Sequence, residues 1–401
     1  MIKTMLDSLK KVEVNEMMRL FKIVLISFFI SVHMVLLSGC WNYREVEKMS
    51  VVAGVAIDKG DDNQYSMTVE IVEAKGGQEH KITPKVITMT GNTLFDTIRN
   101  TISVSGKRLY WSHTKVLILS KNIAEDDMVK ILDWYNRDAE TRADMHILVS
   151  KEKTAKEIIE SKAKTNEVVS FEIDDILENE KSLSKSPNIA ISDFIVDLAA
   201  DGISPITSAI GLQKTDEQSS PKVMGTAIFD KNKFMDFLSS DETKILLFIK
   251  DMVEGGVLVQ EQKNKSGVTK ITLEIIKSKT KIEPIFSDDN VNIKINIETT
   301  VAIDEIQGKE NYMEEGNNMK LQKDVEKNMN IRIKNLVKKV QSKYNTDIFG
   351  FGKKIKENLP DEWKKLESKW KKKFKNLEVT VDTKINIKNS AALYKTLPVG
   401  D

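Results

Sequence analysis

The sequence is poor in cysteine and histidine. Its 401 residues include one cysteine and four histidines, so an internal disulfide is excluded. Beyond the first 39 residues the histidines are His80, His113 and His146, and none has a cysteine, histidine or glutamate at metal-ligand spacing. We therefore predict no metal site and no cofactor.

The chain also has no excess of one charge. Its net charge is +1, and without the first 39 residues it carries 56 basic and 57 acidic side chains. Such a balance gives no long-range attraction for nucleic acid, so we predict no nucleic-acid partner. With 30% charged and 40% hydrophobic residues, the composition is that of a soluble folding chain, long enough for two or three domains.

Sequence motifs for catalysis are missing as well. The chain has no glycine loop that would cradle phosphate and no elbow that would present a serine nucleophile. Carboxylates are abundant, and folding could bring a pair together, but no spacing marks one. His113 precedes a predicted strand, and we interpret it as a buried, hydrogen-bonded side chain rather than a catalytic one. We assign no catalytic residue.

One long apolar run is present, at Ile23–Leu37, and Cys40 follows it. Fifteen helical residues rise about 22 Å, less than the roughly 30 Å of hydrocarbon in a bilayer. Basic residues precede the run and small residues end it, which is typical of a cleavable secretory signal. Leu37-Ser38-Gly39-Cys40 is also similar to the bacterial lipobox, in which the cysteine thiol accepts diacylglycerol. We predict that residues 1–39 are removed and that lipid on Cys40 tethers the chain to the outer face of a membrane.

Two alternatives concern this N-terminal segment. A short membrane anchor with an incidental cysteine would also explain the apolar run. The stretch before Met17 and Met18 is long for a signal, and translation could start at either methionine without changing the mature chain.

The rest of the chain predicts an α+β protein. Residues 40–160 alternate strands and helices, and we predict a mixed α/β N-terminal domain there. Its Asp-rich stretch at 58–62 lacks the spacing of a calcium loop and is interpreted as a turn between two strands. Residues 161–220 are polar and helical in pattern, and we predict a small helical middle region that ends in a connector at 214–220.

Residues 221–401 show the clearest periodicity. Apolar residues and one threonine occupy every second position from Val291 to Ile303, which predicts one buried face of a long strand. Ile271–Ile275 and Val379–Ile387 alternate similarly and are expected in the same antiparallel sheet. Apolar positions from Leu321 to Tyr344 predict a long helix covering its dry face. The predicted C-terminal domain is an antiparallel sheet covered by long helices.

A lysine-rich segment, Lys353–Lys375, includes Trp363 and Trp370. It could touch anionic lipid headgroups beside the anchor. We favour an amphipathic helix whose lysines are solvated and whose tryptophans belong to the core, because the apolar spacing is that of a packed stripe.

Taken together, several stretches resemble the spore germination C-subunit lipoproteins. They follow the family's order over nearly the whole chain after the lipobox, with Asn42 departing from an acidic residue found in many members: Gly39-Cys40-Trp41, Arg44-Glu45, Val51–Lys59, Ser112–Leu119, Gly225–Asp230 continuing to Lys250, and Ile271–Pro284 with the strand after it.

The resemblance implies a function that composition and spacing do not show. Members of this family are non-enzymatic lipoproteins of nutrient germinant receptors, which they form with two integral-membrane subunits, A and B, in the spore inner membrane. The resemblance also implies three α/β domains. We expect the chain to dock on its partners at the extracytoplasmic side and to stabilise or couple the receptor.

Two other functions remain open at this point. A solute-binding lipoprotein that delivers a nutrient to a transporter would show two similar α/β lobes around a cleft. A cell-envelope hydrolase would need a nucleophile or metal site, and the sequence shows neither.

Overall fold

A computed structural model describes residues 2–36, 49–74, 82–126, 128–137, 140–216, 218–264, 267–287, 290–308, 312 and 315–388. The chain divides into two compact units, Met1–Lys48 and Met49–Asp401. Cys40 and His80 lie outside the described residues, and so does the predicted signal cleavage point.

The first unit contains one long helix, α1 (Ile2–Leu36). Within it, Glu16–Met34 is long and apolar enough to cross a membrane, a property that an N-terminal signal sequence shares. These 19 residues rise about 28 Å, close to the thickness of the hydrocarbon layer. The expectation that the apolar segment is too short to span was based on Ile23–Leu37 alone. Length therefore does not separate a cleaved signal from a spanning helix, and the lipobox remains the basis for predicting cleavage.

The second unit begins with a large mixed sheet. In the described chain it has nine strands, ordered β3-β2-β1-β5-β6-β7-β8-β9, with β4 paired to β1. The strands are β1 (Met49–Lys59), β2 (Tyr65–Ala74), β3 (Ile82–Gly91), β4 (Arg108–Tyr110), β5 (Val116–Leu119), β6 (His146–Ser150), β7 (Ile206–Lys214), β8 (Ser219–Asp230) and β9 (Lys233–Leu238). The central strands β1, β5, β6 and β7 run parallel, and both flanks are antiparallel hairpins.

The central strands are apolar on both faces because helices cover the sheet on both sides. Leu117 and Leu119 face one core cluster, whereas Val116 and Ile118 face another. Such strands read as continuous hydrophobic runs, as β5 does. The helices that connect and cover these strands are α2 (Leu94–Asn100), α3 (Ile102–Ser105), α4 (Lys121–Asp126), α5 (Val129–Arg137), α6 (Lys156–Ile159), α7 (Val169–Asn179) and α8 (Ile191–Ala199).

A second sheet of four strands in the described chain follows, in the order β10-β11-β12-β13. Its strands are β10 (Val257–Asn264), β11 (Gly267–Ser287), β12 (Asn290–Gln307) and β13 (Val379–Lys388). The predicted face of β12 is confirmed, since its alternate residues from Val291 to Ile303 are buried. The predicted long helix is α10 (Glu315–Lys339), continued by a π-helical turn at Val340–Tyr344, and its stripe from Leu321 to Tyr344 packs in the same core.

One feature of this sheet differs from the expectation. β10, β11 and β12 are antiparallel, but β13 pairs with β12 in parallel. Alternation of side chains is the same in both arrangements, so it does not reveal strand direction. The long helical connection between β12 and β13 sets the direction of β13, because this connection returns the chain to the end of the sheet at which β12 begins. That connection comprises α10, α11 (Phe351–Asn358), α12 (Pro360–Leu366) and α13 (Trp370–Lys375).

Helix α9 (Ser240–Ile249) joins the two sheets through one hydrophobic core. Its residues from Thr243 to Ile249 are all buried. The core around it includes Ile228 and Leu238 from the large sheet and the dry face of the second sheet. A capping box begins the helix, since Ser239 and Glu242 exchange side-chain and backbone hydrogen bonds.

The predicted connector at 214–220 is a turn within the large sheet. β7 and β8 pair on either side of it, and Thr215 N–H donates to Gln218 O at 2.9 Å. Strands from the predicted middle and C-terminal regions therefore share one sheet with the N-terminal strands. The division at 40–160, 161–220 and 221–401 stays a prediction.

Two glycines let the loop after α8 lie directly on the start of α11. Gly202 has a φ of +70°, and a Cβ there would lie 2.4 Å from the carbonyl carbon of Gly352. Lys353 N–H donates to Gly202 O at 2.9 Å, which fixes this contact. A side chain at position 202 would push the two backbones apart.

We expect Gly202→Ala to destabilise the protein by roughly 3 kcal/mol, since overpacking adds to the strain of a positive φ. Gly106→Ala is the matched control. Gly106 has a φ of +67° with nothing within 4 Å of the new Cβ, so strain alone should cost about 1 kcal/mol. Urea unfolding of the full chain in detergent micelles measures both. Equal decreases in the free energy of unfolding for the two variants would show that the close backbone contact at Gly202 adds nothing to the cost of the substitution.

Candidate functional site

The only site residue assigned from the sequence, Cys40, lies outside the described residues. Its lipidation therefore stays a prediction. Beyond α1, the described residues that carry chemistry are His113 and His146, a set of buried carboxylates and the lysine-rich helices near the C-terminus.

His113 is exposed, so the expectation that it is buried is wrong. It lies in the turn before β5, where its ring centroid is 6.0 Å from that of Tyr110. The neighbouring Thr114 is the buried residue, and its hydroxyl donates to Val52 O at 3.4 Å. The apolar run of β5 begins only at Val116, which leaves His113 at the surface end of the turn.

His146 is the buried histidine, and tertiary structure brings two carboxylates to it. Its Nε2 lies 3.1 Å from Asp174 Oδ1 and 3.5 Å from Glu178 Oε1. The ligand atoms of these three residues lie within 4.8 Å of one another, a span that one metal ion could occupy. Sequence spacing around His146 did not reveal this group, although Asp174 and Glu178 are four residues apart on one face of α7.

A lysine completes this cluster and gives it the character of an ion-pair network. Lys115 Nζ lies 2.7 Å from the second oxygen of Asp174. Burial raises the pKa of Asp174, but hydrogen bonds from His146 and Lys115 outweigh this and hold it below its ordinary value. Glu178 is largely exposed. The network ties α7 to strand β6 and to the residue before β5.

Two buried carboxylates hold the N-terminal ends of crossover helices on the large sheet. Asp58, on β1, accepts hydrogen bonds from Ala155 N–H at 2.7 Å and Lys156 N–H at 3.0 Å, at the start of α6. Glu70, on β2, accepts from Val169 N–H at 2.9 Å and Ser170 N–H at 2.8 Å, at the start of α7. Burial raises the pKa of both carboxyl groups despite these bonds.

Asp347 is a third buried carboxylate that accepts backbone N–H groups, and it holds the loop that leads into α11. One oxygen accepts from Gly350 N–H at 2.9 Å, and the other accepts from Gly352 N–H at 2.8 Å. Burial nevertheless raises the pKa of Asp347 from 3.8 to about 6. The backbone of this loop is therefore positioned by a single carboxylate.

The lysine-rich segment folds as α11, α12 and α13, and its aromatic residues belong to the core. Trp363 and Phe374 are 3% and 1% exposed and pack in the same cluster as the second sheet. This confirms the interpretation of the tryptophans as a packed stripe. Lys364 and Lys365 are solvated and pair with Asp361 and Glu362 three residues earlier.

The fold is that of an α+β protein in which two unlike sheets share one core. The polar clusters found among the described residues join helices and loops to the strands. Comparison with known proteins identifies the family. Residues 42–212 match the spore germination protein N-terminal domain, and residues 224–391 match the C-terminal domain described as spore germination B3/GerAC like. The chain belongs to this family of spore germination proteins, and its role is in spore germination.

Individual relatives cover the chain almost completely. Spore germination protein B3 of Bacillus subtilis (strain 168) is 25% identical over 90% of this chain and 96% of its own length. Spore germination protein KC of the same organism is 22% identical over 90% of this chain and 93% of its own. The crystal structure of the GerBC protein matches with a TM-score of 0.56 and 23% identity, over 83% of this chain and 96% of that one, which supports the fold.

The raised pKa of Asp347 predicts a pH effect on stability. The folded protein holds a proton there between about pH 4 and pH 6 that the unfolded chain has lost. This contribution to the free energy of unfolding is fully present below about pH 4 and disappears as the pH rises through about 6. We expect Asp347→Asn to remove that part of the pH dependence, whereas Asp382→Asn, at an exposed position on β13, should leave it unchanged. Urea unfolding from pH 4 to pH 7.5 measures the difference, and parallel wild-type and Asp347→Asn profiles would contradict the assignment.

Proposed function

We propose that the chain is the lipid-anchored, non-enzymatic C subunit of a nutrient germinant receptor. It assembles with two integral-membrane subunits, A and B, on the extracytoplasmic side of the spore inner membrane. The observation that carries this proposal is the match of both domain models in order, at residues 42–212 and 224–391. Relatives covered over 93% to 96% of their own lengths support a whole subunit rather than one shared module.

The proposed anchor is diacylglycerol on Cys40. Glu16–Met34 supplies a membrane-competent helix before the lipobox, as a lipoprotein signal requires. A diacyl group provides two chains, and two chains hold a protein stably at a bilayer where one does so only marginally.

A non-enzymatic role is supported by what the described polar clusters do. His146 joins α7 to β6 through Asp174, and Asp58 and Glu70 accept backbone N–H groups. In the described chain, His146 Nε2 and these carboxylates therefore make contacts that join secondary-structure elements.

The two-sheet architecture counts against a solute-binding protein. That function predicted two similar α/β lobes, whereas the described chain has a nine-stranded mixed sheet and a four-stranded one. Both sheets also contribute to one core around α9, so they do not form separate lobes around a cleft.

Spores that lack this chain should fail to germinate with a particular nutrient or set of nutrients, because a receptor without one subunit does not respond. Germination through a nutrient-independent trigger should be unchanged, which controls for spore quality. The measurement is loss of optical density after each trigger, with the intact gene restored as a rescue. Normal responses to a broad nutrient panel, in spores that lack all related receptors, would contradict the proposal.

Cys40→Ala should abolish lipid attachment and leave residues 1–39 in place. Metabolic labelling with palmitate and the apparent mass of the chain report both effects. Ser38→Ala is the matched control, since a small residue remains at that lipobox position and labelling should persist. Palmitate label in Cys40→Ala, or an unlabelled wild-type chain, would contradict lipidation at Cys40.

A further inference from the structure

His146, Asp174 and Glu178 bring three metal-ligand atoms together on the large sheet. His146 is the first residue of β6, and Asp174 and Glu178 lie one turn apart on α7. The distances from His146 Nε2 are 3.1 Å to Asp174 Oδ1 and 3.5 Å to Glu178 Oε1. Spacing along the chain did not predict this group, because it forms only when α7 packs over the start of β6.

These distances match those between the ligands of one four-coordinate ion. Zinc binds histidine nitrogen and carboxylate oxygen at about 2.0–2.2 Å, so two ligands at a tetrahedral angle are about 3.4 Å apart. The separations of 3.1 Å and 3.5 Å lie on either side of that value, and all three atoms are within 4.8 Å of one another. An ion between them therefore needs only small movements of the side chains.

The Glu178 carboxylate is not engaged by another cation. Its approach to His146 at 3.5 Å is longer than a good hydrogen bond. In the part of the chain that the structure describes, it forms no ion pair with a lysine or arginine. A carboxylate in this position gains more from a metal ion than from a neutral imidazole.

The charges around the group favour a cation. Asp174 and Glu178 carry two negative charges, and Lys115, 2.7 Å from the second oxygen of Asp174, carries one positive charge. Both carboxylates lie in the last two turns of α7, and the C-terminal end of a helix carries partial negative charge. Burial raises the pKa of Asp174, but hydrogen bonds from His146 and Lys115 outweigh this, so the carboxylate is ionised near neutral pH.

One side of the group is closed and the other is open to solvent. The His146 and Asp174 side chains are 9% and 14% exposed, whereas that of Glu178 is 64% exposed. Lys115 stays on the second oxygen of Asp174 and holds the orientation of the carboxylate, as hydrogen-bonded neighbours of metal ligands do. The open side provides an entry path and space for water as a fourth ligand.

The imidazole of His146 offers a lone pair at Nε2 without losing a partner at its other nitrogen. Nδ1 is buried and has no hydrogen-bond partner among the described residues. When Nε2 donates to Asp174 the ring hydrogen is on Nε2, and when Nε2 binds a metal the hydrogen is on Nδ1. Nδ1 is unpaired in both forms. No bond at Nδ1 therefore holds the ring in the tautomer that blocks Nε2.

We propose that His146, Asp174 and Glu178 bind one Zn²⁺ ion, with water as the fourth ligand. One imidazole and two carboxylates suit a transition metal. Calcium takes six to eight oxygen ligands and magnesium takes six in an octahedron, so neither matches this set. The ion ties α7 to the start of β6, in addition to the ion pair of Lys115. This inference does not depend on the receptor assignment.

Isothermal titration of the full chain with zinc chloride tests the proposal. The protein is held in dodecyl maltoside micelles, whose headgroup has no phosphate or carboxylate, after treatment with EDTA and desalting. All samples carry Cys40→Ala, since a free thiol also binds zinc. We expect one equivalent of Zn²⁺ to bind with a Kd below about 10 µM, and Mg²⁺ and Ca²⁺ to give no saturable heat. Absence of saturable zinc binding would overturn the proposal, and equal binding of Mg²⁺ or Ca²⁺ would overturn the transition-metal class.

Glu178→Gln is the most informative variant, because the side chain is exposed and keeps its shape. It should raise the Kd for zinc by roughly tenfold or more, since even outer-shell partners of a metal are worth about tenfold. Asp175→Asn, at an exposed position on α7 outside the group, is the matched control and should leave the Kd unchanged. His146→Gln should abolish binding, with circular dichroism as the check on folding. If that variant does not fold, Glu178→Gln decides alone, and a Kd equal to that of the parent would contradict the site.

Thermal unfolding gives a second measurement. Zinc at about 100 times the Kd should raise the unfolding midpoint of the Cys40→Ala parent by roughly 3–5 °C, because the ion binds only the folded chain. At the same zinc concentration, Glu178→Gln should show about half of this shift or less, and Asp175→Asn the whole shift. Equal shifts in all three proteins would mean that zinc acts elsewhere and would overturn the site.

Discussion

Buried carboxylates that accept hydrogen bonds from backbone N–H groups fix the positions of several helices and loops in this protein. A carboxylate removed from water is costly unless several donors surround it. Asp58, Glu70 and Asp347 each receive at least two backbone N–H groups, at α6, α7 and the loop before α11. Glu172 and Glu180 do the same for loops at 164–166 and 185–186. Because β1 and β2 position Asp58 and Glu70, the helices α6 and α7 start at fixed points on the sheet.

Helix α9 is the second constraint, since it is buried along nearly its whole length. A helix that is apolar on all sides has to be enclosed, and here both sheets enclose it. Its capping residue Glu242 also pairs with Lys339 at the end of α10, at 2.5 Å. The second sheet is therefore attached to the first by a shared core, and the close approach of Gly202 and Gly352 occurs at the same junction.

The shared core does not fit a protein whose two lobes close around a substrate. The two sheets differ in size and strand direction, and they do not move as two lobes without breaking a common core. The family assignment is carried by the whole length of the chain, whereas the group formed by His146, Asp174 and Glu178 is a local feature of the large sheet.

The sequence by itself determined the strands with strict alternation, the stripe of α10 and the family. These depend on local periodicity, on pairs a few residues apart and on the order of short motifs, all of which a linear chain displays. It also placed the tryptophans of the lysine-rich segment in the core, for the same reason.

Only the tertiary structure decided the parallel pairing of β13, the exposure of His113 and which carboxylates lie beside His146. Each depends on residues far apart in the chain, such as Asp174 beside His146 or Glu70 beneath Ser170, 100 positions away. Local sequence does not distinguish a carboxylate that caps a distant helix from a carboxylate exposed to solvent. The environment of such a carboxylate, and the group formed by His146, Asp174 and Glu178, arise only when the chain has folded, because burial and proximity are properties of the assembled core.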